Sequence, residues 1–491
     1  MNSGKKRWAI GLILILVGAL TGSAWADFCT IGWSNDARQF TASRYRPGGG
    51  VWDGEFYMWG GAQYTGGPSG YYIYYADTQI YNPAVDEWQS GASMPEEKSN
   101  FGFDIVDGFG YAVGGYYSDQ MGNPYYLDSV YKYDIDNDTW STIAAYPKTF
   151  SGLMCSGAGN GKLYCYGGWD GVADSALGYV YNPGTNAWSA IANMPHWKDF
   201  GYAAFYSGEV YAIGGWLEDG GDPAVYRYAT GSNQWTQVNP ATGRQSPVAA
   251  AAGGLIWLAG GCDENDEVLD IYNEVFDGSQ WSPTGEKMKL ARAGALAGYV
   301  PGYGIFVVGG WDEEKMGTRD TQLWNICLPE FTSVTPATGA VGTPVAIVGD
   351  RFEQDAEVYL ADATKAQYQL DDIEVVDENS INAVIPDEVT PGVYALVFKG
   401  TVGQTSEFAA AFEVVTADDD TTPDDDDTTP ADDDTTPTDD DTTPVDDDTT
   451  PVDDDTTPAD DDGADDDTTD DETDDDAGDD DNKDDKSGCG C

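Results

Sequence analysis

The sequence predicts an all-β protein: a six-bladed β-propeller, a small β-sandwich and an acidic, disordered tail. Three observations predict it. A diglycine closing an apolar segment recurs six times. A Tyr followed seven residues later by Trp recurs between the diglycines. Beyond about residue 416 the alternating apolar pattern gives way to a seven-residue Asp-rich repeat. The chain is also rich in Gly (61), Tyr (31) and Trp (16). Aromatics favour strands, and Gly supplies the positive φ that tight turns need.

The repeat carries most of the argument. The segments EFYMWGG, FGYAVGG, KLYCYGG, EVYAIGG, LIWLAGG and GIFVVGG place their first glycines at Gly60, Gly114, Gly167, Gly214, Gly260 and Gly309. An aromatic stands three residues earlier in each: Tyr57, Tyr111, Tyr164, Tyr211, Trp257 and Phe306. Downstream come Tyr81 and Trp88, Tyr133 and Trp140, Tyr181 and Trp188, Tyr228 and Trp235, with Phe276 to Trp281 as a shortened version. Turns such as NPAVDE and DIDNDT separate each pair. Each unit reads as four short strands with hairpin turns. One such sheet cannot cover both its faces; packing several radially does, and leaves short edges. The repeat aromatics are therefore read as packing between blades.

The two ends bound the class. Lys5, Lys6 and Arg7, the apolar run Trp8 to Leu20, and Ala24-Trp25-Ala26 form the pattern of a cleaved secretory signal over residues 1–26. No later stretch reaches the roughly 18 apolar residues of a membrane span. The expectation is a secreted or bacterial cell-surface protein, less readily a periplasmic one, and a monomer. Net charge is −63, and 36 acidic residues against two Lys lie from Asp418 onward. Nucleic-acid binding needs a basic footprint, so that class is set aside.

The six units resemble the kelch repeat, which is expected over residues 27–328. The sixth unit is short of its outer strand, and Phe28 to Trp33 reads as an orphan strand ending in the repeat Trp. The resemblance implies ring closure by pairing the N-terminal strand with the last blade. Cys29 and Cys327 then fall on adjacent strands and can form a disulfide, worth about 5 kcal/mol in the chain-entropy account. Cys155 and Cys165 flank the GAGNGK turn and are either paired or two free thiols.

Residues 329–416 alternate with Pro/Gly punctuation, as in a small β-sandwich. Pro336, Gly342-Thr343, Gly349, Phe352 and Pro391-Gly392 resemble the IPT/TIG immunoglobulin-like family, which implies a spacer or adhesive module. Residues 417–491 carry DDDTTPx repeats with Pro423, Pro430, Pro437, Pro444, Pro451 and Pro458 seven apart. Such a segment cannot bury a core and is expected to be a solvated stalk. Weak Ca²⁺ binding by its clustered carboxylates is the sharper alternative; no other cofactor or metal is expected.

The kelch resemblance also implies a loop face, where the segment leading into the first strand meets the loop after the second. Tyr116, Trp169, Trp216 and Trp311 follow the diglycines, with Asp170, Glu218, Asp219, Asp263, Asp312 and Glu313 nearby. Arg44, Lys98, Lys198, Arg244 and Arg292 stand 16 or 17 residues before them. Flat aromatics stack on sugars and ionised groups bond hydroxyls, so a carbohydrate or protein ligand is expected on this face. The alternative for each basic residue is pairing with a neighbouring acid.

Catalysis is the weaker reading. Copper radical oxidases of the kelch superfamily use two His ligands, and this chain has only His196. No catalytic residue is assigned. The best enzymatic rival is the bacterial sialic-acid mutarotase, whose resemblance would give Arg44, Arg244, Arg292 and Glu218 the chemistry.

Overall fold

The computed structural model describes residues 28–416, except 35–38, 67–69, 218–219, 264, 266 and 314–316. The predicted signal segment, the acidic tail with its Ca²⁺ reading, and Glu218 and Asp219 lie outside the described residues.

Six antiparallel four-stranded sheets follow one another in chain order. From the first strand outward, blade one is Gly48–Trp52, Glu55–Trp59, Thr78–Asn82 and Glu87–Gly91. Blade two is Gly102–Val106, Phe109–Ser118, Pro124–Asp134 and Thr139–Thr142. Blade three is Met154–Ala158, Lys162–Tyr166, Gly178–Asn182 and Ala187–Ile191. Blade four is Tyr202–Tyr206, Glu209–Ile213, Val225–Ala229 and Gln234–Val238. Blade five is Val248–Ala252, Leu255–Ala259, Glu274–Phe276 and Trp281–Pro283. Blade six takes Leu296–Val300, Gly304–Val308 and Thr321–Asn325, and its outer strand is Gly32–Ser34 from the other end of the chain.

Closure is thus by the N-terminal strand. Trp33 faces Trp324 in register, and their rings stack at 4.9 Å. The strand is shorter than the residues 28–33 read from the sequence. Cys29 leaves the ladder because its N–H donates to the Phe352 carbonyl of the sandwich, 3.0 Å away. A disulfide joins Cys29 to Cys327 across 298 residues, and a second joins Cys155 to Cys165.

The repeat residues stitch neighbouring blades. Tyr133 and Trp140 sit directly opposite on strands three and four, as do Tyr181 and Trp188, and Tyr228 and Trp235. Each Trp Nε1 donates to a carbonyl just past the preceding blade: Trp140 to Ala92, Trp188 to Ala144, Trp235 to Ala192 and Trp281 to Asn239, at 2.8–3.1 Å. The turn between the pair also works across the junction. Asp138, Asn186 and Asn233 stand at φ near +50°, which Asp and Asn tolerate better than most residues. Each Oδ1 accepts both its own Tyr hydroxyl and a backbone N–H of the preceding blade.

The diglycines have one function at all six junctions. The second glycine's N–H donates to the carbonyl of the residue leading into the next blade: Gly61 to Lys98, Gly115 to Phe150, Gly168 to Lys198, Gly215 to Arg244, Gly261 to Arg292 and Gly310 to Arg44. Both glycines take positive φ. A Cβ on the first would lie 2.3–2.8 Å from that same carbonyl. Only glycine allows this approach.

The sandwich packs a four-stranded sheet (Glu330–Thr335, Pro344–Asp350, Ser380–Val384, Asp371–Asp377) on a five-stranded one (Thr338–Gly339, Thr405–Val414, Gly392–Lys399, Glu357–Ala361, Gln367–Gln369). Ile347, Phe352, Val358, Leu360, Ile381 and Phe398 form its dry core. It docks at the propeller end carrying the turns between first and second strands. There Thr405 N–H donates to Gly253 O (2.7 Å), and Gln404 Nε2 donates to Ile326 O (3.3 Å). Val402 enters the apolar cluster of blades five and six. The loop face is at the opposite end.

Candidate ligand-binding face

The basic ring does not face a ligand. Arg44, Lys98, Lys198, Arg244 and Arg292 are at most 2% exposed. Each turns inward along its own blade. Arg44 donates to Gly60 O (3.1 Å) and forks onto Asp77 (2.7 and 3.1 Å). Lys198 reaches Gly214 O (2.9 Å) and pairs with Asp222. Arg244 reaches Gly260 O (3.1 Å) and pairs with Glu274. Arg292 donates to the carbonyls of Gly309 and Asp320, both at 3.0 Å. Lys98 donates to Ser129 O (3.1 Å). These residues are latches, so their reading as ligand contacts is corrected. Their surface-like spacing arises because the diglycine that Arg44, Lys198, Arg244 and Arg292 hold lies on the face while their side chains run beneath it.

Burial leaves its mark on their ionisation. It pulls the Lys98 ammonium down to about 7, only partly opposed by Glu96 and Asp128. It pulls Arg292 down to about 10 against Asp320 and Asp312, and it lowers Lys198 and Arg244 against their carboxylates. Burial works to raise Asp77, but the hydrogen bonds and charge of Arg44 outweigh it and hold Asp77 low.

The four aromatics predicted for the face divide. Trp311 is 1% exposed, edge-on to Tyr45 at 5.8 Å, and its ring lies against Gly294. Trp169 is also buried, its Nε1 donating to Tyr126 Oη at 3.2 Å. Both are chiefly packing, which corrects their reading as open ligand contacts. Tyr116 and Trp216 are half-buried and remain on the face.

The face is dominated instead by two hairpins above blades one and two. In blade one, Ala62–Tyr64 pairs with Tyr72–Tyr74. In blade two the second and third strands extend past the sheet, and Tyr117 stacks on Tyr125 at 4.7 Å. Tyr74 joins the hairpins: it meets Tyr116 at 6.1 Å, and its hydroxyl bonds Ser118 Oγ at 3.0 Å. Asp119 fixes the second tip by accepting from the Met121 and Asn123 amides. The rings continue through Tyr45 to Trp311 and through Tyr126 to Trp169, making a half-crown. Tyr71 (54%) and Tyr125 (41%) expose their rings most. Across the face, Trp197 and Trp216 lie 6.4 Å apart, with His196 on Trp197 at 4.8 Å. The exposed His196 has Nδ1 3.1 Å from Trp197 O.

At the centre is a backbone collar. Arg46, Asn100, Gly152, Phe200, Ser246 and Gly294 each stand two residues past the latch position, with φ of 45–63°. Their peptides link around the axis: Arg46 N–H donates to Gly294 O, Gly294 to Ser246, Ser246 to Phe200, Phe200 to Gly152 and Gly152 to Asn100, at 2.6–3.1 Å. The strain of a non-glycine residue in this region is on the order of 1–3 kcal/mol. It is sustained by those five bonds. The Arg46 guanidinium lies over the Phe200 ring (4.1 Å) and donates to Asn100 Oδ1 (3.2 Å) and Ser246 Oγ (3.4 Å). It therefore spans the mouth of the axial funnel.

Comparison with known proteins agrees with this architecture. The profile of the KLHDC2/KLHL20/DRC7 Kelch-repeats domain matches residues 103–310. Kelch-like protein 7 of Rattus norvegicus is 30% identical over 118 residues, 24% of this chain and 19% of that protein. The F-box/kelch-repeat protein At2g44130 of Arabidopsis thaliana is 30% identical over 129 residues, 25% of this chain and 30% of its own length. The propeller is built of kelch repeats. The chain spans less than a third of the length of these curated relatives. A solved structure titled "Structure of YjhT" aligns with a TM-score of 0.48 and 15% identity, over 58% of this chain and 96% of that one. A likeness at that level leaves the fold to rest on the repeats and the sheet order.

Within this kelch propeller, sequence reasoning missed the collar and most of the half-crown. A signal for the second was present. The doublets Tyr71-Tyr72, Tyr74-Tyr75, Tyr116-Tyr117 and Tyr125-Tyr126 fall only in the long connections of blades one and two.

Proposed function

We propose that the protein is an exported binding protein whose kelch propeller takes a carbohydrate or protein ligand on its loop face, and that carbohydrate is the better fit. The half-crown of tyrosines carries this reading. Its rings offer flat apolar faces with hydroxyls at their rims, and such amphipathic rings bind polar ligands at little entropic cost. Carboxylates at Asp119, Asp170, Asp263 and Asp312 suit hydroxyl donors and oppose acidic ligands. The sandwich, on its resemblance to IPT/TIG modules, acts as a spacer at the other end.

A glycan array probed with the full exported chain tests the reading. Saturable binding that falls at least tenfold in Tyr125→Ala and in Trp216→Ala is the expected result. Peptide binding through the same residues with a silent array would move the ligand to the protein class. Binding indifferent to both substitutions would overturn the site. Anomer exchange on free acidic sugars, followed by NMR, would instead favour the mutarotase alternative.

A further inference from the structure

A second compartment lies beneath the funnel. The Tyr202 side chain of blade four crosses the axis to blade six, where its hydroxyl donates to Ala297 O (3.1 Å). Phe103 of blade two packs edge-on against it at 6.1 Å. Together they partition the axis. Below them is a chamber of about 250 Å³, walled by first strands of all six blades and running toward Val51, Phe205, Ala251 and Tyr299 at the end opposite the loop face. That is space for on the order of eight water-sized groups, at about 30 Å³ each.

The wall is polar and carries one charge. First strands are sheet edges, so they present unpaired N–H and C=O groups to the axis. Asp104 consumes two of the donors: Gly157 N–H (2.6 Å) and Ile105 N–H (2.7 Å) bond its carboxylate. Tyr202 Oη takes a weak third from Ala297 N–H at 3.4 Å. Two wall carbonyls are taken in turn, Ala297 O by the Tyr202 hydroxyl and Gly157 O by Ser156 Oγ (both 3.1 Å), and the Asp104 carboxylate is the strongest acceptor left. Asp104 is also the one charged side chain lining the chamber among the described residues. Arg351 of the sandwich acts on the Tyr299 hydroxyl from outside the wall and does not line it.

We infer that this chamber is a second binding site, approached from the end opposite the loop face, for a small organic ammonium ion that ion-pairs with Asp104. An ammonium brings a positive charge to the one carboxylate of the chamber and further donors to the carbonyls of the strand edges beside it. A metal ion fits less well, since no group of three metal-ligating side chains exists among the described residues. Burial raises the Asp104 carboxyl to about 6, while bonds from Gly157, Ile105 and Ser156 hold it down. It is therefore charged at pH 7.5, and a bound cation would relieve that cost.

The test titrates n-propylammonium chloride, with 1-propanol as neutral control, into the full exported chain at pH 7.5 under saturation-transfer NMR. The expected result is saturable binding of the ammonium alone, at least tenfold weaker in Asp104→Asn and unchanged in Tyr125→Ala. Equal binding by Asp104→Asn, equal binding of propanol, or loss in Tyr125→Ala would each overturn the inference. The exposed Ala251 lines the chamber, so Ala251→Phe decides the matter should Asp104→Asn fail to fold: it must block binding.

Discussion

Blades three and five solve one problem in opposite ways. In blade five Arg244 is fully buried and holds Gly260 O and Glu274. In blade three the same position is Phe150, which carries the same junction bond from Gly115. It sits in an apolar cluster against which Leu177 packs. Counting back four residues from the repeat aromatics Tyr81 and Tyr181, Leu177 stands where blade one has Asp77. An apolar pair thus replaces an ion pair within one molecule. A buried pair can be exchanged for apolar groups at little net cost, whereas a lone buried charge is expensive. The comparison teaches that the latch position is structural.

The largest expected effect follows from breaking a latch on one side. Arg244→Ala strands Glu274 and should destabilise the propeller by about 3–5 kcal/mol in urea unfolding. Moving a charge pair into blade three, as Phe150→Arg with Leu177→Asp, should cost about 1–4 kcal/mol, since its geometry is not prepared. Moving blade three's solution into blade five, as Arg244→Met with Glu274→Leu, should lie within about 2 kcal/mol of the parent. The main loss there is the Thr242 amide, which Glu274 accepts at 3.2 Å.

A smaller effect separates Lys98 from the paired latches. Its folded pKa lies near 7 and its unfolded value near 10.4. Between those limits the unfolded chain binds more protons, so stability rises with pH. Lys98→Met should flatten the increase in urea midpoint between pH 7 and 9. Asp104 has the opposite sign. Its folded pKa is raised to about 6, so its contribution improves as pH falls toward 4, and Asp104→Asn should remove that component.

The blades and their closure were legible because they depend on local chemistry repeated at fixed intervals. Diglycines mark positive φ against a neighbouring carbonyl, and Tyr–Trp pairs mark opposed strand positions. The latches were legible only as the alternative to ligand contact, pairing with a neighbouring acid, which Arg44, Lys198 and Arg244 adopt. A spacing of 16 residues placed Arg44 and Arg244 on the correct end of their blades, but side-chain direction is set by partners such as Asp77 and Glu274, 33 and 30 residues away. The collar was hidden because its positive φ goes with backbone hydrogen bonds from one blade to the next, on residues as unlike as Arg46, Phe200 and Gly294. Of the half-crown's tyrosines only Tyr116 was anticipated, since unequal loops obscure which tyrosines of blades one and two share a surface.

The division between a structural basic ring and a functional aromatic rim is tested most directly by measuring ligand binding on three chains side by side. These are the parent, the rim variant Tyr125→Ala, and the latch exchange Arg244→Met with Glu274→Leu, each checked for an unchanged fold by circular dichroism. The rim variant should lose at least tenfold in affinity while the latch exchange binds as the parent does. A folded latch exchange that has lost the ligand, beside a rim variant that keeps it, would contradict the assignment.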